Sequence, residues 1–320
     1  MKLGVFAVLF SNKSFEETLN YLESQDVESI EIGTGGYVGN AHCNPAELLQ
    51  DQTKLKALKK AVDARNLTIS ALSCHGNALH PQKEIAARFH QDFKNSVELA
   101  EKLEVPVVVT FSGLPGDHEE ARHPNWPVAP WPNDFQEVYK WQWEKKVIPY
   151  WKEMGRFAAD RHVRIALEPH GGFSVHTPAT LLKLRQEVGE VIGANFDPSH
   201  MWWQGIDPVQ AIRILGTENA IYHFHAKDTS IDQVNVHRFG LTDMQPYSVN
   251  RAWQFRTVGY GHDMKVWSDI VSALRLAGYD GAVSIEHEDG LMSKEEGLKK
   301  AIANLRQVLI KEPLGDMWWV

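Results

Sequence analysis

Glu168 follows the apolar run Ile165, Ala166 and Leu167 directly, and Pro169, His170 and two glycines follow it. A carboxylate at the mouth of an apolar segment is costly unless something pairs with it. The same pattern recurs downstream. Asp197 closes "IGANFD", His223 and His225 alternate through "IYHFHAKD", and Glu286 sits in "AVSIEHED". Three carboxylates brought together would repel one another, and a divalent cation removes that conflict. Glu168, Asp197, Glu286 and one imidazole make a site of three oxygens and one nitrogen. Such a set suits Mn²⁺ best, with Mg²⁺ or Co²⁺ as alternatives, rather than the sulfur-rich sites of structural zinc. Either His223 or His225 could supply the nitrogen. His225 lies two residues nearer the segment's end, about 6.6 Å along a strand, which favours it.

These residues meet only if their segments share an axis. Short apolar segments alternate with amphipathic ones along the whole chain. The expected strands are 2–10, 29–34, 68–76, 105–113, 164–170, 192–200, 221–228 and 282–289. The expected helices are 14–26, 45–66, 83–103, 134–161, 178–189, 207–216, 264–278 and 293–311. Ser14 with Glu17 three residues on reads as a capping box. Eight strand–helix units in a row imply one α/β domain over 1–320, a closed (β/α)₈ TIM barrel. The connections after strands four and seven, 114–133 and 229–263, are long and belong to the C-terminal face, where barrel enzymes bind substrate.

Strand side chains alternate between faces. With Ile165, Leu167, Phe196, Tyr222, Phe224, Val283 and Ile285 turned to the helices, Glu168, Asp197, His223, His225, Ser284 and Glu286 turn inward. Glu31 has inward parity on strand two and is placed either against substrate or holding a neighbouring histidine. His75 ends strand three on the inward face. His170 and His200 follow Glu168 and Asp197 by two and three residues. Lys227 would neutralise a substrate oxygen or pair with Asp228. Trp202 would offer an aromatic platform on which a substrate could stack, and Arg256 would reach substrate hydroxyls or a phosphate from its loop.

The balance of 33 basic and 41 acidic residues, net −8, disfavours a nucleic-acid partner. "MKLGVFAVLF" reads as a strand rather than an export signal, and no apolar run reaches the ~18 residues of a membrane span. The two cysteines, Cys43 and Cys74, form no CxxC and suit free thiols in a reducing, cytoplasmic setting. "GTGGYVG" (33–39) lacks the lysine and spacing of a phosphate cradle, so no nucleotide cofactor is expected. The apolar tail "DMWWV" suits packing on the barrel or on a second copy of the chain.

Taken in order, "LEPH" (167–170), "NFDPSH" (195–200), "HAKD" (225–228), "GYGHDMKVWSDIVSALRLAGYDG" (259–281) and "SIEHED" (284–289) resemble the xylose isomerase-like barrel superfamily of sugar phosphate isomerases and epimerases. By that resemblance Glu168, Asp197, His225 and Glu286 match the family's metal ligands. His200 matches a residue beside the metal that touches substrate, and the two glutamates match the acid/base pair. The resemblance implies a metal-dependent isomerase or epimerase acting on a small carbohydrate through an enediolate. The alternative is a lyase of the same fold, a dehydratase or an enzyme of β-elimination on 3-keto sugars or glycosides, including C-glycoside cleavage. An endonuclease IV-like hydrolase is disfavoured by the acidic balance. Barrels of this kind are expected to form homo-oligomers, and a small accessory subunit stays open.

Overall fold

The apolar segments meet edge to edge. The computed structural model of the protein describes residues 1–246, 250–313, 315–316 and 318–319. Its strands are β1 (Lys2–Phe6), β2 (Ser29–Gly33), β3 (Thr68–Ser73), β4 (Val107–Thr110), β5 (Arg164–Leu167), β6 (Ile192–Phe196), β7 (Ile221–Ala226), β8 (Asp228–Ile231), β9 (Trp253–Arg256) and β10 (Ala282–Ile285). The barrel closes in the order β1-β10-β7-β6-β5-β4-β3-β2, and β8 and β9 form a separate two-stranded sheet. Every pairing in the barrel is parallel. The (β/α)₈ reading of the sequence is therefore what the chain adopts.

The outward residues of the strands, Val5, Ile32, Leu72, Ile165, Phe196, Phe224 and Ile285 among them, bury against helix residues such as Leu19, Leu58, Val97, Leu181, Ile212 and Ile270. This ring of apolar burial closes the barrel. Ser14 caps its helix as expected: its hydroxyl accepts from Glu17 N at 3.2 Å while its own N–H donates to Glu17 at 2.8 Å. The lower interior holds a small cluster of Ala71, Val107, Val109 and Ala166. Above it the interior turns polar, which is where the site lies.

Several expectations need correction. Strand one stops at Phe6, and Ala7–Phe10 forms a 3₁₀ turn whose Ala7, Leu9 and Phe10 stay buried, which prolonged the apolar signal. The helix expected over 45–66 is broken into Pro45–Leu48 and Gln52–Asp63. Asp51 caps the second piece by accepting from Thr53 N and Lys54 N. The long helix from 134 passes through a π turn over Trp143–Val147, just before Pro149, which has no N–H for the regular ladder. Strand seven ends at Ala226. The segment 229–263, read as loop, contains the hairpin of β8 and β9, with Asp228 opposite Arg256 and Ile231 opposite Trp253, and a helix over Gln233–Phe239.

Tyr222 does not turn to the helices. Ala194 pairs with Ile221 but Asn195 pairs with His223, so Tyr222 is an extra residue at a register shift. Its ring packs over Gly193, where a Cβ would lie 2.4 Å from it, and joins the lower interior cluster.

Of the tail "DMWWV", Trp318 and Trp319 are 87% and 68% exposed, so they do not pack on the barrel. Met317 and Val320, like Tyr247 to Val249 in "PYSVNRAW", lie outside the described residues. No helix among the described residues is long and apolar enough to cross a membrane.

Both cysteines are buried and unbridged. Burial pushes each thiol up to about 12. The native protein should therefore release no colour from a thiol-reactive disulfide reagent, and the denatured protein should titrate both. Prompt labelling of the native chain would contradict this burial.

Candidate active site

Four strand ends deliver the axial polar cluster. Glu168 follows β5, Asp197 follows β6, His225 lies within β7 and Glu286 follows β10. One ligand atom from each lies within 4.8 Å of the others. Glu168 and Glu286 line the floor of a cavity of about 520 Å³, walled by Tyr37, Phe111, Phe173 and Phe255 and lined also by His75, His170, His200 and Lys227, while Asp197 and His225 are buried beside them.

Each floor residue is held from below or beside. Glu168 accepts from Asn195 Nδ2 at 2.7 Å and faces His75 Nε2 and His200 Nε2 at 3.1 Å each. Asp197 Oδ1 accepts from Ser199 N at 2.8 Å, capping the short helix Pro198–Trp202 and leaving Oδ2 toward the axis. His225 Nε2 lies 2.9 Å from both oxygens of Glu31. Its Nδ1 makes no hydrogen bond and faces Glu168 at 3.2 Å and Glu286 at 3.1 Å. Lys227 Nζ lies 2.6 Å from Glu286, 2.9 Å from Glu288 and 3.1 Å from Asp197.

The charges do not balance. Burial disfavours a charge on His225, yet Glu31, Glu286 and Glu168 hold its imidazole well above the usual range, so with all four carboxylates Glu31, Glu168, Asp197 and Glu286 ionised, Lys227 and His225 leave −2. Burial, reinforced by Glu168 and Glu286 and opposed by Lys227, pushes Asp197 up to about 7. Burial also works against the charge on Glu286, but Lys227 and His225 hold its carboxyl well below the usual range. Burial disfavours the charge on Lys227 in turn, yet Asp197, Glu286 and Glu288 keep it protonated. A divalent ion at His225 Nδ1 would take the place of that proton and bring the cluster to −1. The donor set therefore fits one: three carboxylate oxygens, plus the buried Nδ1 of His225, which is turned toward two of them.

His170 and His200, which line the cavity, are neutral. Burial lowers His200 well below its ordinary value and brings His170 to about 4. Trp203 Nε1 lies 3.4 Å from His200 Nδ1, so His200 presents Nε2–H to Glu168. The rings of His170 and His200 lie 3.9 Å apart. His170 Nδ1 donates to Gly171 O at 2.5 Å, which leaves Nε2 as an acceptor. Gly171 passes so close beneath Trp203 that a Cβ would lie 1.9 Å from its ring, which accounts for a glycine after "EPH".

Other sequence candidates are placed elsewhere. Glu31 lies beneath His225, fully buried, with Ser73 and Ser284 as its other partners, so it holds a histidine and does not reach substrate. Lys227 pairs with the cluster and not with Asp228, whose carboxylate turns to the glycine turn at 259–261. Trp202 stacks on His262 at 3.9 Å and does not line the cavity. Arg256 is tied to Asp289 at 3.2 Å. The loop at 126–130 lines a separate groove of about 470 Å³ beside His176.

Sequence reasoning missed Asn195, Glu288 and Phe255. Asn195 has inward parity two residues before Asp197 and was open to the same argument. Phe255, whose ring lies 4.6 Å from Lys227 Nζ, arrives on a hairpin without a clear strand signal.

The profile of the xylose isomerase-like TIM barrel family matches residues 27–308. The chain belongs to that family. Within it, the chain is 37% identical over 315 residues to the uncharacterized protein YfiH of Bacillus subtilis, covering 97% of this chain and 99% of that protein. It is 29% identical over 236 residues to an inosose dehydratase of Clostridium beijerinckii, 72% of each chain. Solved structures share the xylose isomerase-like fold at low identity. A probable 3-DHS dehydratase, AsbF of Bacillus anthracis, superposes with a TM-score of 0.66 at 18% identity, covering 96% of this chain and 99% of that one. The IOLI protein with a bound zinc atom gives 0.66 at 19%, covering 97% and 98%.

Proposed function

We propose that the protein is a divalent-metal-dependent sugar isomerase or epimerase that removes a proton next to a carbonyl and passes through an enediolate. The observation that carries this reading is the convergence of Glu168, Asp197, His225 and Glu286 on one point, with Glu168 and Glu286 opening onto the cavity. A divalent ion there, Mn²⁺ by the oxygen-rich donor set, would polarise the carbonyl and offset the charge of the enediolate.

The chain's own groups do the rest. Glu168, with one oxygen on His200 and the other on Asn195 and His75, is held rigidly enough to take a proton from carbon. Glu286 is the second carboxylate at the same floor. Return of a proton to the opposite face of that carbon gives an epimer, and return to the neighbouring carbon gives an isomer. Lys227 and the neutral His200 bind substrate oxygens, and Phe111, Phe173 and Phe255 shield the pocket.

A second reading, a lyase, draws on His170. Its neutral ring lines the cavity beside His200, and its Nε2 could take the proton removed from carbon and deliver it to the departing hydroxyl or glycosyl oxygen. The likeness to an inosose dehydratase supports the same reading.

Elemental analysis with an NMR screen of sugars and 3-keto sugars in D₂O tests both. Exchange of a carbon-bound hydrogen with no new product, or with an epimer, supports the first reading, and loss of water or of a substituent supports the second. A metal-free protein that exchanges nothing across the screen would refute both.

A further inference from the structure

We infer that Glu31 is a positioning carboxylate that determines which nitrogen of His225 meets the cation: it takes the Nε2–H and leaves Nδ1 as the ligand. This rests on the metal-dependent reading above.

The assignment follows from which groups can donate. A carboxylate only accepts. Glu31 is fully buried, and Ser73 Oγ at 2.5 Å and Ser284 Oγ at 2.7 Å donate to it. The third close group is His225 Nε2, at 2.9 Å from both oxygens, so that nitrogen carries the hydrogen. Turning the ring over would put carbon against Glu31 and carbon toward the axis. Phe6, stacked on the ring at 5.5 Å and 29°, packs against that motion.

His223 does not compete. Glu168 accepts from Asn195 Nδ2 at 2.7 Å, which turns Asn195 Oδ1 to His223 Nδ1 at 2.8 Å. His223 therefore carries its hydrogen on Nδ1, and its Nε2 accepts from Ser70 Oγ at 3.1 Å. That nitrogen stays 3.9 Å from Glu31. The carboxylate is left to His225, where its charge makes the imidazole a stronger ligand.

Two measurements test this. In wild-type protein loaded with ¹¹³Cd²⁺ and labelled with ¹⁵N-histidine, the metal coupling of His225 should fall on Nδ1, with Nε2 protonated. Coupling to Nε2 would overturn the inference, and this readout needs no variant to fold. Glu31→Gln should weaken Co²⁺ binding roughly 10–100-fold in competition with a chelating dye. Binding within about twofold of wild type would also overturn it. A wild type that binds tightly beside an equally tight Glu31→Gln sinks only this inference. A wild type that binds no divalent ion sinks both it and the proposed function.

Discussion

Glu168→Gln is expected to abolish exchange of the substrate's carbon-bound hydrogen with solvent, by roughly 10²–10⁴-fold if its role is that of the base. The substitution keeps the size of the side chain and one acceptor oxygen. It removes the charge, and it places an amide nitrogen where Asn195 Nδ2, His75 Nε2 or His200 Nε2 now approaches. An unsatisfied buried donor of this kind costs about 1–3 kcal/mol, which a barrel of this size should survive. The variant should keep the wild-type circular dichroism spectrum. Since Glu168 is also a proposed metal ligand, the assay belongs at saturating Mn²⁺, where weaker binding cannot mimic loss of the base. Exchange at the wild-type rate under those conditions would remove Glu168 from the chemistry.

Much of this site could be read from alternation alone. In a parallel strand buried on both faces, the inward residues are those out of phase with the apolar ones, and Glu168, Asp197, His225 and Glu286 were found by that test. It worked because β5 and β10 run without interruption and the polar residues stand at their ends. It failed for Tyr222, because a register shift opposite Asn195 breaks the count and no local residue announces it. Partner choice was less accessible. Lys227 and Asp228 are adjacent in sequence, and pairing them was natural. The chain leaves the barrel between them, so that one turns to the axis and the other to the hairpin. Trp202 and Arg256 were assigned by residue type in loops, where no periodicity fixes direction. The hairpin of β8 and β9 escaped notice because "DTSI" and "WQFR" are short and separated by more than 20 residues. Their pairing is set by tertiary contacts that no local pattern carries.

Asp228→Asn is expected to lower stability by about 2–4 kcal/mol and to loosen the wall of the cavity. Asp228 is fully buried, and its Oδ2 accepts from Gly259 N, Gly261 N, His262 N and Trp267 Nε1 at 2.9–3.1 Å. Its Oδ1 accepts from Thr229 N at 2.8 Å and meets His262 Nδ1 at 2.9 Å. This one carboxylate ties the start of the hairpin to the turn that follows it. Gly261 approaches so closely that a Cβ would lie 2.4 Å from Thr229 O. An asparagine can satisfy one side of this arrangement. Its amide nitrogen must then face an N–H, and every remaining bond loses its ionic share. The melting temperature should fall by roughly 5 °C or more. Because β9 carries Phe255 against Lys227 and His200, while none of the four proposed ligands lies on the hairpin, the same variant should raise KM more than it lowers metal affinity. An unchanged melting temperature would show that these donors find other partners. A loss of metal binding matching the rise in KM would mean that the hairpin and the floor of the barrel are not independent parts.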